Sequence, residues 1–132
     1  MKIAESRVIS IGIRCPYPKA YEFLSSPENF PKWASGLGRS LRRDGERWIM
    51  ETPEGSAEVR FTPKNAFGVL DHFVCPKPGV EIYVPMRVVP NGQGCEVMLM
   101  LFRQSGMPDE RFERDTAWVR RDLQTLKNLL EA

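Results

Sequence analysis

The sequence predicts an α+β fold in which an antiparallel sheet of about six to seven strands wraps around one long C-terminal helix. Residues 108–131 carry apolar side chains at helical spacing without interruption, and at 1.5 Å per residue such a helix is about 34 Å long. The middle of the chain is a series of short strand-like runs. Connections of hairpin length separate these runs, which favours antiparallel pairing. A short helix could not bury the long one, so we expect the sheet to do so.

The composition is that of one soluble globular domain spanning residues 1–132. Hydrophobic residues make up 42% of the chain and charged residues 27%, which is ordinary for this class of protein. Nineteen basic and seventeen acidic residues leave a formal net charge of +2, so charge gives no case for binding nucleic acid or an anionic membrane. The basic cluster Arg39, Arg42 and Arg43 is offset by neighbouring acidic residues, which indicates a solvated strand face.

The sequence also argues against several kinds of site and location. No apolar run approaches the ~20 residues that span a bilayer, and residues 1–7 lack the apolar segment of a signal peptide. Three cysteines without paired spacing indicate free thiols in a reducing compartment, with the cytoplasm as the default. The chain has one histidine, and its cysteines lack the short paired spacing of a zinc knuckle, so we expect no metal site. We also expect no cofactor.

A strand and two short helices are expected to open the chain. Alternating side chains predict a strand at residues 7–14, and a proline-rich turn ends it. A short helix is expected over Pro18–Leu24. Ser26 is placed to cap a second short helix over residues 27–33. Residues 35–38 are expected to form a flexible exit toward the next strand.

Strands separated by turn signals fill the region from residue 39 to residue 104. Asp44-Gly45 and Asn91–Gly94 are predicted hairpin turns. One predicted strand contains an internal proline, Pro85. A turn then ends the sheet. Pro108 begins the long helix, and the acidic residues Asp109 and Glu110 follow it, where the helix dipole favours them. The expected strands cover residues 41–43, 47–50, 57–61, 67–75, 80–89 and 95–103.

Alternation within the last two strands predicts which side chains face the helix. We place the purely apolar sets inward. The inward set comprises Val80, Ile82, Val84, Met86, Val88, Cys95, Val97, Leu99 and Leu101. This register leaves Met98, Met100 and Phe102 as an apolar patch on the outer face. Such a patch indicates either a partner subunit, and so a homodimer, or an error in the register.

The stretches Tyr21–Trp33, Phe67–His72, Val84–Gly92 and Asp122–Lys127 are similar to those of one known superfamily. The first joins an apolar helix to a tryptophan through a Pro-Glu-Asn turn. Together they resemble the START-related helix-grip superfamily (SRPBCC), which includes polyketide cyclases and aromatases, lipid-transfer domains and the birch pollen allergen. The resemblance is nearest to polyketide cyclase/dehydrase-like members of unassigned function, and it covers essentially the whole chain.

The resemblance implies a helix-grip fold, in which the curved sheet leaves a cavity beside the long helix and two short helices partly roof it. Members of the superfamily use this cavity for apolar or aromatic small molecules, including lipids. The superfamily has no universal catalytic motif, so the resemblance is specific for the fold and not for one activity.

Asp71 and His72 are the polar pair expected near this cavity. Adjacent residues on a strand point to opposite faces, so Asp71 cannot orient the imidazole of His72. One of them is expected to face the cavity, and their apolar neighbours do not decide which. Either could act as a general acid or base, and burial would shift its pKa. Arg87 is the third catalytic candidate; the alternative for all three is a structural or exposed role.

Aromatic and flexible side chains are expected near a ligand, the alternative being that they are ordinary core. On the long helix, Thr116 interrupts the apolar stripe, which indicates space between helix and sheet. Asp115 is placed toward the mouth of that space, whereas Trp118 lies at its edge. The predicted ligand-binding residues are Trp33, Trp48, Phe61, Phe67, Met86, Phe112, Thr116 and Val119.

Three functions follow as hypotheses. The first is binding of a hydrophobic or aromatic small molecule in the cavity, as a carrier or sensor. The second is a polyketide cyclase, aromatase or dehydratase type of enzyme that acts in the same cavity through one acid or base. The third is a protein–protein adaptor, which depends on the apolar outer patch.

Overall fold

The computed structural model describes residues 1–34 and 40–132. Within these residues the chain forms eight strands, two short helices after the first strand and one long helix at the end, so the predicted α+β class is confirmed. In chain order the elements are β1 (Ser6–Ile13), α1 (Tyr17–Leu24), a 3-10 turn (Pro27–Asn29), α2 (Phe30–Trp33), β2 (Ser40–Asp44), β3 (Arg47–Thr52), β4 (Gly55–Phe61), β5 (His72–Lys77), β6 (Val80–Val84), β7 (Met86–Asn91), β8 (Gly94–Phe102) and α3 (Asp109–Glu131).

Two antiparallel sheets make up the curved wall. One has the strand order β1-β8-β7, and the other has the order β2-β3-β4-β5-β6. The single strand predicted over residues 80–89 is therefore wrong. Pro85 cannot donate to a strand ladder, and the chain passes from the larger sheet to the smaller one at this residue. The carbonyl of Pro85 accepts a hydrogen bond from the backbone of Met100 at 2.9 Å, which joins the two sheets.

The strand predicted over residues 67–75 begins only at His72. The preceding residues form a turn around Asn65, whose side-chain oxygen accepts hydrogen bonds from the backbone of Phe67 at 3.0 Å and Val69 at 3.1 Å. An asparagine side chain can replace the ladder partner of an extended chain in this way. Gly68 completes the turn with φ 68°, and a Cβ there would lie 2.1 Å from the carbonyl oxygen of Val88.

The long helix α3 packs along β1. Its residues Leu123, Leu126 and Leu130 are buried in one apolar cluster with Ile9 and Ile13 of the strand. Pro108 precedes the helix as its cap and is not its first residue, a difference of one position from the prediction. In the described ranges, no helix is long and apolar enough to cross a membrane.

Polar contacts fasten the end of α3 to the end of β1. The Lys127 ammonium donates to the carbonyl of Gly12 at 2.9 Å, and the Glu131 carboxylate accepts from the backbone N–H of Arg14 at 2.8 Å. Lys127 and Glu131 also form an ion pair with each other. These contacts hold the C-terminal end of α3 against the end of β1, and they give hydrogen-bond partners to the backbone of Gly12 and Arg14.

Burial confirms the predicted register of the last strands. Six of the nine residues predicted to face inward are buried and the other three are half-buried. The outer patch is therefore real and not an error of register: Met98, Met100 and Phe102 are half-buried on the opposite face. Tyr83 partly covers this patch, because its ring stacks on Phe102 at 6.3 Å and on Phe73 at 5.1 Å.

The two short helices differ from their predicted forms in detail. The first begins at Tyr17, one residue early, and the second divides into a 3-10 turn and the four-residue α2. Pro31 within the second segment accounts for its irregularity, because a proline inside a helix removes a backbone donor. The predicted flexible exit at residues 35–38, together with Arg39 of the basic cluster, lies outside the described residues.

Candidate functional site

His72 faces inward and Asp71 faces outward, which answers the question that the sequence leaves open. His72 is only 3% exposed and pairs with Phe61 on one side and Val84 on the other. The Asp71 carboxylate instead accepts hydrogen bonds from the backbone of Met86 at 2.8 Å and from the Tyr83 hydroxyl at 2.9 Å. Asp71 thus braces the chain next to the break between the sheets, and its hydrogen bond raises the pKa of Tyr83.

The imidazole of His72 is a neutral ring with a defined proton position. Its Nδ1 lies 3.2 Å from the carbonyl oxygen of Leu70. A carbonyl can only accept, so Nδ1 carries the proton in this contact. Burial lowers the pKa of His72, while the hydrogen bond to Leu70 and the nearby Asp71 oppose that shift. The ring is therefore uncharged at neutral pH, and Nε2 is a hydrogen-bond acceptor.

The Nε2 atom is the second polar atom of this ring. Among the described residues, every fully buried side-chain nitrogen or oxygen has a hydrogen-bond partner. An inward-facing acceptor in apolar surroundings is the kind of group that can fix the orientation of a bound molecule.

Aromatic rings from α2 and β4 surround this imidazole. The Phe30 ring lies 5.3 Å from the His72 ring at 72°, an edge-to-face contact, and the Phe61 ring lies 6.2 Å away. Phe30 also meets Phe61 at 5.4 Å and Trp33 at 5.4 Å. We call these four residues the His72 cluster: Phe30, Trp33, Phe61 and His72.

Two predicted ligand-binding residues, Trp33 and Phe61, belong to the His72 cluster. Phe30 was missed, although its position three residues before Trp33 on a short helix could have indicated that both rings share one face. The predicted Met86 is buried on the inner face of β7. Trp48 is half-buried, and the guanidinium carbon of Arg43 lies 5.3 Å from its ring centre.

Phe67 and Arg87 lie away from the His72 cluster. Phe67 is 73% exposed, because the turn around Asn65 holds it outward. Arg87 is exposed on the outer face, where its guanidinium donates to the carbonyl of Phe67 at 2.6 Å. The structure therefore brings none of the other catalytic candidates to His72.

The break at Thr116 in the apolar stripe of α3 is filled and is not a space. The Thr116 hydroxyl donates to the carbonyl of Phe112 at 2.8 Å and accepts from the Arg7 guanidinium at 3.1 Å. Arg7 also stacks on the buried Phe112 ring at 4.4 Å and pairs with Glu113, which lowers the pKa of that carboxyl. Phe112 and Thr116 thus anchor the N-terminal half of α3 to β1. Val119 is half-buried beside the main apolar cluster.

The acidic side of α3 is partly buried. Burial raises the pKa of Asp115, and the nearby Arg111, 3.9 Å away, opposes that rise. Asp122, which sequence reasoning did not single out, is buried and has a polar partner. Trp118 is 38% exposed, and the guanidinium carbon of Arg121 lies 5.8 Å from its ring centre.

A groove of about 580 Å³ lies where β1, the β7–β8 turn and the end of α3 meet, and no residue of the His72 cluster lines it. Its lining is mostly polar or backbone, and none of the predicted ligand-binding residues takes part. The residues that line it are Gly12, Ile13, Arg14, Cys15, Pro16, Asn91, Gln93, Gly94, Cys95 and Lys127. Burial raises the pKa of the Cys95 thiol in its lining, which favours the protonated form of this thiol.

No family model and no curated protein matches this chain. Solved structures do match it over nearly its whole length. DynU16, a protein of the dynemicin biosynthetic locus, has a TM-score of 0.73 at 13% identity, over 98% of this chain and 48% of its own. Ara h 8.0201 has a TM-score of 0.71 at 12% identity, over 97% of this chain and 98% of its own. The Aha1 dimer of Colwellia psychrerythraea has a TM-score of 0.71 at 15% identity, over 96% of this chain and 97% of its own.

Identities this low show a shared fold, and the fold is the helix-grip fold that the sequence predicts. The similarity to a dimer shows that this fold also occurs in paired chains. What any of these proteins binds or does is not transferred by the fold alone.

Proposed function

We propose that this protein binds a hydrophobic or aromatic small molecule between its sheet and α3, as a carrier or sensor. One observation carries the proposal. The neutral His72 faces inward from within an aromatic cluster, and its Nδ1–H tautomer makes Nε2 a hydrogen-bond acceptor. Ligand sites combine an apolar lining with a few well-placed polar groups, and this cluster has that composition. The helix-grip fold supports the same proposal, because similar folds favour a ligand-binding cavity in general.

The positions of the other polar candidates favour a carrier over an enzyme. Asp71 braces the backbone of Met86, and Arg87 holds the turn at Phe67, so neither can share a substrate with His72. A cyclase, aromatase or dehydratase reaction would depend on the imidazole alone as its acid or base. With His72 as the one candidate acid or base in the cluster, orientation of a bound molecule needs fewer assumptions than catalysis.

The expected homodimer and the adaptor role stay predictions. Both would use the outer patch, where Tyr83 and Val8 are 42% and 59% exposed beside the half-buried methionines. A sedimentation profile that stays monomeric at high protein concentration would count against the dimer. The three cysteines are free thiols in the structure, which supports the proposal of a reducing, cytoplasmic location.

Native mass spectrometry of the freshly purified protein tests the binding proposal. We expect a population of protein that carries an added small mass, which denaturation releases. The variant Phe61→Leu removes a ring from the His72 cluster and should lower that population severalfold. Phe67→Leu is the matched control, because it removes an exposed ring outside the cluster and should change nothing.

The opposite outcome is equally clear. If the native protein carries no added mass and binds no apolar fluorescent probe such as 1-anilinonaphthalene-8-sulfonate, the proposed function is wrong. Equal loss of binding in Phe61→Leu and Phe67→Leu would place the site elsewhere.

A further inference from the structure

We propose that α3 is a strap in two parts: high ionic strength releases its N-terminal half, residues 109–119, while its C-terminal half, residues 120–131, stays on the sheet. Different kinds of contact hold the two halves, and a groove separates the two attachments. This device goes beyond ligand binding and needs no bound molecule, so its failure would leave the proposed function untouched.

Apolar packing holds the C-terminal half. Leu123, Leu126 and Leu130 lie in the main apolar cluster, and none of them is more than 5% exposed. Their attachment depends on the removal of apolar surface from water, which dissolved salt does not screen. The polar contacts of Lys127 and Glu131 with β1 add to this packing. Screening of those contacts therefore leaves the C-terminal half in place.

Charged groups hold the N-terminal half. Its Phe112 is 1% exposed and, among the described residues, lies outside the main apolar cluster. Two guanidinium groups lie over its ring instead, with the carbon of Arg7 at 4.4 Å and that of Arg103 at 5.8 Å from the ring centre. A cation over an aromatic face is attracted electrostatically. Arg7 also donates to the Thr116 hydroxyl at 3.1 Å, so these contacts with the helix depend on guanidinium groups outside it.

Three exposed acidic side chains hold the two guanidinium groups in place. Glu113 pairs with Arg7, and Asp109 pairs with Arg103 at 2.7 Å. Glu5 pairs with both guanidinium groups, at 3.8 Å and 3.2 Å. The side chains of the three acids are 52–86% exposed. Exposed charges are screened strongly by salt, since the Debye length is about 3 Å at 1 M and about 30 Å at 0.01 M.

The N-terminal half has one more attachment of the same kind, to the turn between β3 and β4. Arg111 lies 3.7 Å from the carboxylate of Glu54, and their side chains are 47% and 78% exposed. Each such pair contributes little by itself. Because salt weakens all of them together, it can release this half without any change in the packing of the C-terminal half. Release uncovers Phe112, which the closed form hides.

A groove of about 170 Å³ lies between the two attachments, so α3 and β1 are not in continuous contact where the two halves meet. The turn before the helix can also move. Its Gly106 has φ 77°, and a Cβ there would meet open space, so no close neighbour fixes this turn. The residues that line the groove are Ile9, Ser10, Ile11, Arg120 and Leu123.

Hydrogen–deuterium exchange followed by mass spectrometry tests the strap on the full chain, at one pH and two concentrations of sodium chloride. From about 0.01 M to about 1 M salt, we expect the amides of residues 113–119 to exchange about tenfold faster, after correction for the exchange rates of the unfolded chain. The amides of residues 123–128 should keep their protection. An equal increase in both halves, or no increase in residues 113–119, would overturn the proposal.

Two variants connect this response to the named charges. Glu113→Gln keeps the size of an exposed side chain and removes one ion pair, and Arg7→Met removes the guanidinium. Each should speed exchange in residues 113–119 severalfold at low salt and reduce the further increase at high salt. Arg47→Met is the matched control, because it removes an exposed ion pair with Glu58 on the larger sheet. If both variants exchange like this control, the named charges do not hold the strap and the proposal is wrong.

Discussion

At the scale of single residues, His72 and Asp71 show how adjacent side chains acquire different roles. Asp71 points outward and satisfies the backbone donor of Met86, a structural role. His72 points inward, and burial favours its neutral form. The sequence predicts that the two face opposite ways, because strand residues alternate. Their apolar neighbours are alike on both sides, so the sequence could not decide which residue is inside.

Burial of His72 predicts a loss of stability in mild acid. Its pKa in the folded protein is lowered from the ordinary value of 6.5. Below about pH 6.5 the unfolded chain therefore binds a proton that the folded chain does not, so the free energy of unfolding falls as the pH falls through that value. The pKa values of Glu113 and Glu131 are lowered from the ordinary value of 4.5. The contribution of these two carboxylates to the free energy of unfolding is therefore lost only in more acidic solution, below about pH 4.5.

Urea denaturation of the native protein and of His72→Phe from about pH 8 to about pH 5 measures this effect. The native protein should lose stability over this range, and the variant should lose less. Parallel pH profiles for the two proteins would show that His72 does not carry the effect.

At the scale of elements, the prediction succeeded where a pattern is local and failed where a distant residue intervenes. The apolar spacing of α3 and the alternation in β8 could be recognised within their own segments. The break at Thr116 was interpreted as space, because nothing nearby in the sequence indicates that Arg7, 109 residues away, fills it. The turn around Asn65 is the exception: it was missed although its signal, an asparagine followed by Gly68, is local.

Gly68 should be far less tolerant of substitution than another glycine with a similar backbone. Both Gly68 and Gly92 have positive φ, 68° and 58°, so alanine costs about 1 kcal/mol at either. At Gly68 a Cβ would also meet the backbone oxygen of Val88 at 2.1 Å, whereas at Gly92 it would meet open space. We expect Gly68→Ala to lower the free energy of unfolding by about 2–4 kcal/mol in total.

Chemical denaturation of Gly68→Ala and Gly92→Ala makes the comparison directly. A similar, small loss in both variants would mean that the turn adapts and that the close approach to Val88 does not constrain it.

At the scale of the whole molecule, the fold could be predicted and the site only in part. The order of elements and the resemblance to the helix-grip superfamily identified the fold, and the similar solved structures confirm it. Trp33, Phe61 and His72 meet because α2, β4 and β5 converge, which an α+β pattern alone does not specify. Phe67 was predicted to lie near them because it is aromatic, but the local turn carries it to the surface.

The central claim is that one neutral, inward imidazole orients a small molecule, and the nitrogen NMR spectrum of the histidine tests it most directly. The chain has one histidine, so the imidazole signals need no assignment. At neutral pH we predict a protonated Nδ1 and an unprotonated Nε2, and we expect the Nε2 resonance to shift when an aromatic ligand that the protein binds is added. A charged ring, or an Nε2 resonance that does not respond to any aromatic ligand that the protein binds, would contradict the claim.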